Sequence, residues 1–149
     1  MSRAQGTGEK QRCRALVVDD SHDAAESFAR VLVSMGCAAT FVTNPLVAVD
    51  AAQALEARVV FLDIAMPELD GYELARVFRA HYGQHIRLVA VTAYGDSAHR
   101  EMSRAAGFDA HVQKPVDFAM VQSMLATLFE IENDAPGDVV PSIRIAPAC

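Results

Sequence analysis

The chain has 149 residues, with 13 Lys and Arg against 19 Asp and Glu, a formal net charge of -6 and a pI near 5.2. That length suits one domain with its own core. The acidity excludes a generally cationic surface of the kind that neutralises nucleic-acid phosphates, so no direct DNA binding is expected.

Short β-branched apolar runs alternate with segments of helical period. The runs lie at 15–18, 39–42, 59–62, 86–91 and, more weakly, 110–113, and near-continuous apolar runs of this length predict strands buried on both faces. After the first run, Ser21 is placed to cap a helix with Asp23 in its first turn, a stripe of Phe28, Leu32 and Met35, and a stop at Met35-Gly36. Asn44-Pro45 sets a cap before a proline at the first position of the second helix. Asp70-Gly71 reads as the turn into a third helix with the stripe Leu74, Val77, Phe78 and His81. Residues 96–106 have helical length but few large apolar side chains, and end at Ala106-Gly107. Asp117 can cap a last helix carrying Val121, Leu125 and Leu128. Five β-α units in succession predict an α/β fold: a doubly wound, five-stranded parallel sheet with helices on both faces.

Residues 1–12 and the Pro-, Asp- and Gly-containing tail 132–149 read as flexible ends around a folded unit at 13–131. The polar N-terminal residues carry no secretory signal. The longest uncharged stretch, 31–49, is broken by Met35-Gly36 and Asn44-Pro45 before bilayer-spanning length. Cys13, Cys37 and Cys149 are odd in number and have no metal-like spacing, so the expectation is a reduced, cytoplasmic protein with inert thiols and no disulfide. His22, His81, His85 and His99 lack ligand spacing and read as surface residues.

In an open parallel sheet, ligands bind beyond the carboxyl ends of the strands. Asp19 and Asp20 follow the first run, Asp63 the third, Thr92 the fourth and Lys114 the fifth. Three crowded carboxylates repel one another and call for a counter-charge, and an oxygen-only set suits a hard cation such as Mg²⁺. A carboxylate held there can attack phosphorus once the phosphoryl oxygens are neutralised. Each piece alone has a structural reading: Asp19-Asp20 as a turn and cap, Thr92 as a strand end, Lys114-Pro115 as a surface turn. Their joint placement on four strand ends favours an aspartyl-phosphate site. Lys10 and Lys114 are the only lysines among mostly Arg cations, which fits a role for Lys114 that needs a compact point charge.

Leu16-Val17-Val18-Asp19-Asp20, the run from Asp63 through Met66-Pro67 to Asp70-Gly71, Val91-Thr92-Ala93 and Lys114-Pro115 together resemble the receiver domain of two-component response regulators, the CheY-like receivers. The resemblance implies a flavodoxin-like (βα)5 fold of strand order 2-1-3-4-5. It implies that Asp63 accepts a phosphoryl group from a histidine kinase or histidine phosphotransfer protein. It places Mg²⁺ on Asp20, Asp63 and the backbone carbonyl of Ala65, with Asp19 acting through water. Thr92 is then the switch hydroxyl, Lys114 the cation on the phosphate, and the Lys114–Pro115 bond a structural cis turn. His111 stands where the family usually carries an aromatic switch residue. The stretch from Gly107 to His111 is similar to receivers of hybrid sensor kinases. Ala65 and Tyr94 occupy flanking positions that affect phosphoryl lifetime in the family.

The resemblance implies a signalling module, not an enzyme, acting on a downstream protein through the fourth-helix and fifth-strand surface, a face that also suits homodimerisation, with no membrane partner. Two other readings compete. A haloacid-dehalogenase-type phosphohydrolase also uses Asp, Thr, Lys and Mg²⁺, but its Asp-x-Asp is missing from Asp63-Ile64-Ala65. A receiver-shaped scaffold that is never phosphorylated is the second. Degenerate versions usually lose an acidic residue or the lysine, and none is lost here.

Overall fold

The computed structural model describes residues 13–66, 70–93 and 97–133, the side chains of 97–99 and 128–133 excepted. The flexible-end expectations for 1–12 and for most of the tail, and those for Cys149, Tyr94, His99 and Leu128, fall outside what is described.

The strands are β1 (Arg14–Val18), β2 (Ala38–Val42), β3 (Val59–Asp63), β4 (Arg87–Thr92) and β5 (Ala110–Gln113). The helices are α1 (His22–Ser34), α2 (Ala48–Leu55), α3 (Gly71–Tyr82), α4 (Ser97–Ala106) and α5 (Phe118–Asn133). Short 3₁₀ turns at Pro45–Val47 and Gly83–His85 lead into α2 and out of α3. All strand pairs are parallel, in the order β2-β1-β3-β4-β5. This is the doubly wound arrangement expected from the alternating periods.

Alternation along each strand divides the core in two. Ala15, Val17, Val59, Phe61, Val89 and Val91 point to one face, where Phe28 and Leu32 of α1 and Val121 and Leu125 of α5 cover them. Leu16, Val18, Val60, Leu62, Leu88 and Ala90 point to the other, under Ala52 of α2 and Leu74, Ala75 and Phe78 of α3. A fully buried Phe or Leu contributes roughly 1.5–3 kcal/mol. The shared central strands therefore hold both layers. Among the described residues, no helix is long and apolar enough to cross a membrane.

The helix boundaries have local causes. Ser21 Oγ accepts from Ala24 N–H at 3.3 Å, Asn44 Oδ1 from Leu46 N–H at 2.9 Å, Asp70 Oδ1 from Tyr72 N–H at 2.9 Å and Asp117 Oδ1 from Ala119 N–H at 3.0 Å. Gly36 (φ 99°) and Gly107 (φ 105°) close α1 and α4 in the left-handed region.

Three expectations are corrected. β2 is not buried on both faces: it is the sheet edge, its residues exposed or half-buried, because a strand with one neighbour is covered on fewer sides. The buried stripe of α3 is Tyr72, Leu74, Ala75 and Phe78, while Val77 is 47% exposed and His81 is exposed. The helix is rotated toward its N-terminal turn, where Gly71 meets β3. Finally, Cys13 and Cys37 are joined in a disulfide. Spacing could not reveal that pair, because it is the β1-α1-β2 crossover that sets them side by side.

Candidate functional site

Four of the five strand ends deliver polar groups to the same edge. β1 runs into Asp19, which is buried, and Asp20, which is exposed; β3 ends in buried Asp63 and β4 in buried Thr92. Lys114 follows β5, with its backbone N–H donating to Thr92 O at 2.8 Å and the Lys114–Pro115 bond cis. The side chains of Asp19, Asp20 and Asp63 each place an oxygen so that all three lie within 4.8 Å of one another.

Local hydrogen bonds aim these groups. Asp19 Oδ1 accepts from Ser21 N–H at 2.9 Å, and the Asp19 N–H donates to Val42 O at 3.2 Å. Asp63 Oδ1 accepts from Ala65 N–H at 3.2 Å, and its other oxygen, Oδ2, accepts from Lys114 Nζ at 3.4 Å. Lys114 Nζ also lies 3.8 Å from Asp19 Oδ2. One ammonium thus faces two buried carboxylates, with Asp20 adding a third negative charge. Burial first, and then the neighbouring Asp19 charge, push the Asp63 carboxyl up to about 6, against the pull of Lys114 and the Ala65 N–H.

The donor set matches the cation that the sequence suggests. Its side-chain donors are all carboxylate oxygens, without sulfur or imidazole, and their surplus negative charge is only partly offset by Lys114. Those are the properties that a hard divalent cation requires. The residues present fit Mg²⁺.

The backbone approach that shapes the site runs through Gly71. A Cβ there would sit 2.6 Å from Ile64 Cα and 2.9 Å from the Asp63 carbonyl oxygen. The Gly71 N–H donates to Ile64 O at 3.1 Å, and Ile64 N–H to Val91 O at 3.1 Å. The residue after Asp63 is therefore pinned between α3 and β4. From sequence, Gly71 was readable only as a turn. Its position directly after the Asp70 cap, at a helix start, was the available signal. His111 is half-buried on β5, paired in register with Ala90. The fold places it on the strand next to Thr92, apart from the carboxylate cluster.

The model of the response regulator receiver domain matches residues 15–126. The chain belongs to that family. This receiver is 33% identical over 103 residues to an uncharacterized 14.6 kDa protein of Leptolyngbya boryana, covering 68% of this chain and 79% of that one. It is 34% identical over 144 residues to an uncharacterized response regulatory protein of Yersinia pestis, covering 90% of this chain and 57% of that one. It is 28% identical over 120 residues to the probable transcriptional regulatory protein SilR of Salmonella typhimurium, covering 80% and 52%. The chain thus spans little more than half the length of the last two relatives. The receiver fold recurs in CheY4 of Vibrio cholerae, with TM-score 0.71, 20% identity and coverage of 76% of this chain and 95% of that one. It recurs also in the co-crystal structure of a Saccharomyces cerevisiae histidine phosphotransfer signalling protein and the receiver domain of its downstream response regulator. There the TM-score is 0.77, the identity 18% and the coverage 85% and 94%. Family membership supports a phospho-accepting signalling role; receiver domains in general bind Mg²⁺ at an acidic pocket and work with histidine kinases or phosphotransfer proteins.

Proposed function

We propose that this receiver takes a phosphoryl group from a phosphohistidine of a kinase or phosphotransfer protein onto Asp63, and signals by a change of conformation. The carrying observation is the surplus of carboxylate around one lysine: Asp63 is buried beside Asp19 and Lys114, with Asp20 in reach. Asp20, Asp63 and the Ala65 backbone carbonyl would hold Mg²⁺, with Asp19 acting through water, and the ion would supply positive charge against the phosphoryl oxygens.

The chain's own residues do the rest. Around neutral pH the Asp63 carboxyl, with its pKa about 6, is mainly ionised, so an oxygen lone pair is available to phosphorus. The new P–O bond forms as the P–N bond to the donor imidazole breaks, and the imidazole nitrogen keeps that electron pair. Ala65 N–H steadies one Asp63 oxygen while Lys114 Nζ, already near the other, follows the charge onto the transferred group. Thr92, buried on the adjoining strand end, supplies the hydroxyl that would move toward a phosphoryl oxygen. That movement shifts α4 and β5, the surface offered to a downstream protein or to a second receiver. His111 on β5 lies in that path. The role is that of a phosphoryl acceptor, not of an enzyme with turnover on a separate substrate, working in the cytoplasm.

Incubation with Mg²⁺ and acetyl phosphate tests the reading by intact mass. One added phosphoryl group is expected, absent in Asp63→Asn and without Mg²⁺. No gain, or a gain that survives Asp63→Asn, refutes it. Partner binding indifferent to both Asp63→Asn and Mg²⁺ would mark a scaffold instead.

A further inference from the structure

The edge strand β2 is fastened at both ends. At its last residue, Val42 O accepts the backbone N–H of Asp19 at 3.2 Å, and before its first residue Cys37 is bonded to Cys13. The two cysteines extend the β1–β2 register by one step beyond the Arg14↔Ala38 pair, with Cα atoms 4.8 Å apart. Backbone bonds hold them there independently of sulfur chemistry: Ala38 N–H donates to Cys13 O at 2.8 Å, and Cys37 N–H to Leu32 O at 3.0 Å. Cys37 is buried against the core, while Cys13 is half-buried and reachable from solvent. The pair thus sits at the rim of the core, with Cys37 buried and Cys13 partly covered against it. β2 is also the strand least covered by other elements, with exposed or half-buried residues throughout, so a covalent tie acts where the sheet's own packing is weakest.

We infer that Cys13 and Cys37 are a reversible thiol–disulfide clasp, a redox modification site that locks β2 to β1 at the end of the sheet opposite Asp63. A low-molecular-weight disulfide such as glutathione disulfide is the oxidant. One cysteine thiolate attacks it, releasing one thiol and leaving a mixed disulfide. The second cysteine displaces the remaining thiol and closes the Cys13–Cys37 bond. The two protons and two electrons lost by the protein leave in the two released thiols, and excess reduced thiol reverses both steps. In a reducing compartment the open form prevails and the closed form reports oxidation.

The test uses the full chain, equilibrated in reduced glutathione or in glutathione disulfide, then labelled with a maleimide. The chain has three cysteines, so three labels are expected after reduction and at most one after oxidation, Cys149 being either free or held as a mixed disulfide with glutathione. Peptide mapping should pair Cys13 with Cys37, and dithiothreitol should restore three labels without denaturant. Hydrogen exchange at the amides of Ala38–Val42 and of Asp19 should be about tenfold or more faster in the reduced form, with α3 unchanged. The Cys13→Ser/Cys37→Ser variant should exchange like the reduced chain and ignore the oxidant. Three labels retained in excess glutathione disulfide would overturn the inference. So would a disulfide joining Cys149 to Cys13 or Cys37, a bond that opens only on unfolding, or β2 exchange that does not respond to oxidation.

Discussion

The two ends of the sheet handle buried charge in opposite ways. At the amino ends of β4 and β5, Arg79 Nε donates to Gly107 O at 2.9 Å, Nη1 to Gly83 O at 2.6 Å and Ile86 O at 2.7 Å, and Nη2 to Asp109 Oδ2 at 2.6 Å. The same Asp109 oxygen also accepts from Leu88 N–H at 2.8 Å. One cation meets one anion, and three more of the guanidinium's hydrogen bonds go to carbonyls. At the carboxyl ends, one lysine faces Asp19 and Asp63 with Asp20 nearby, at 3.4 Å or more. A matched, well hydrogen-bonded pair makes a joint between α3, β4 and the α4–β5 turn. A surplus of one sign suits the cation site proposed above. Satisfied charge marks structure here, and unsatisfied charge marks function.

The contrast breaks most sharply on removal of a charge at each end. Arg79→Ala leaves the half-buried Asp109 carboxylate without its cation and frees three carbonyls, so a loss of about 2–3 kcal/mol of stability is expected in chemical denaturation. A loss below about 1 kcal/mol would mean that the joint is not structural.

Asp63→Asn should act in the reverse direction. The folded carboxyl, at about 6, lies above its ordinary 3.8. Between those values the native chain binds more protons than the unfolded one, so stability falls as pH rises through that window and levels off above it. Two pH units correspond to about 3 kcal/mol. Metal-free Asp63→Asn is therefore expected to gain up to about 3 kcal/mol over the parent at neutral pH and to converge with it near pH 4. Thermal unfolding in a chelator at several pH values measures this, and parallel pH profiles would show that Asp63 carries no such burden.

Gly71→Ala sharpens the comparison with a smaller effect. The added methyl must displace the Asp63–Ile64 backbone, at about 1–3 kcal/mol, and Mg²⁺-dependent phosphorylation should fall while amide protection around Arg79 and Asp109 persists. Equal loss of protection at both ends would mean that the ends are not independent.

Much of this was legible from residues near one another in the chain. Ser21, Asn44, Asp70 and Asp117 each cap a helix within three residues of themselves, and Gly36 and Gly107 end helices by their own φ. The failures concern partners far apart. Val77 and His81 satisfied helical periodicity, yet they face outward because the path of α3 is set by the close approach of Gly71 to β3. Nothing near Asp109 in the chain announces Arg79, 30 residues away. β2 read as a buried strand because an apolar run does not state how many neighbours it will have.

By itself, the sequence determined the alternation of strands and helices, the caps, and the polar residue following each strand. Given parallel strands, it therefore determined that Asp19, Asp20, Asp63, Thr92 and Lys114 share one edge. Those are consequences of backbone period and short-range hydrogen bonding. Only the tertiary structure decided which strand became the edge, that Cys13 meets Cys37, that Arg79 meets Asp109, and that burial raises the Asp63 carboxyl above its ordinary range. Each of these depends on crossovers that bring residues tens of positions apart into contact. There burial and the local dielectric, not the residue type, set what a charge or a thiol does.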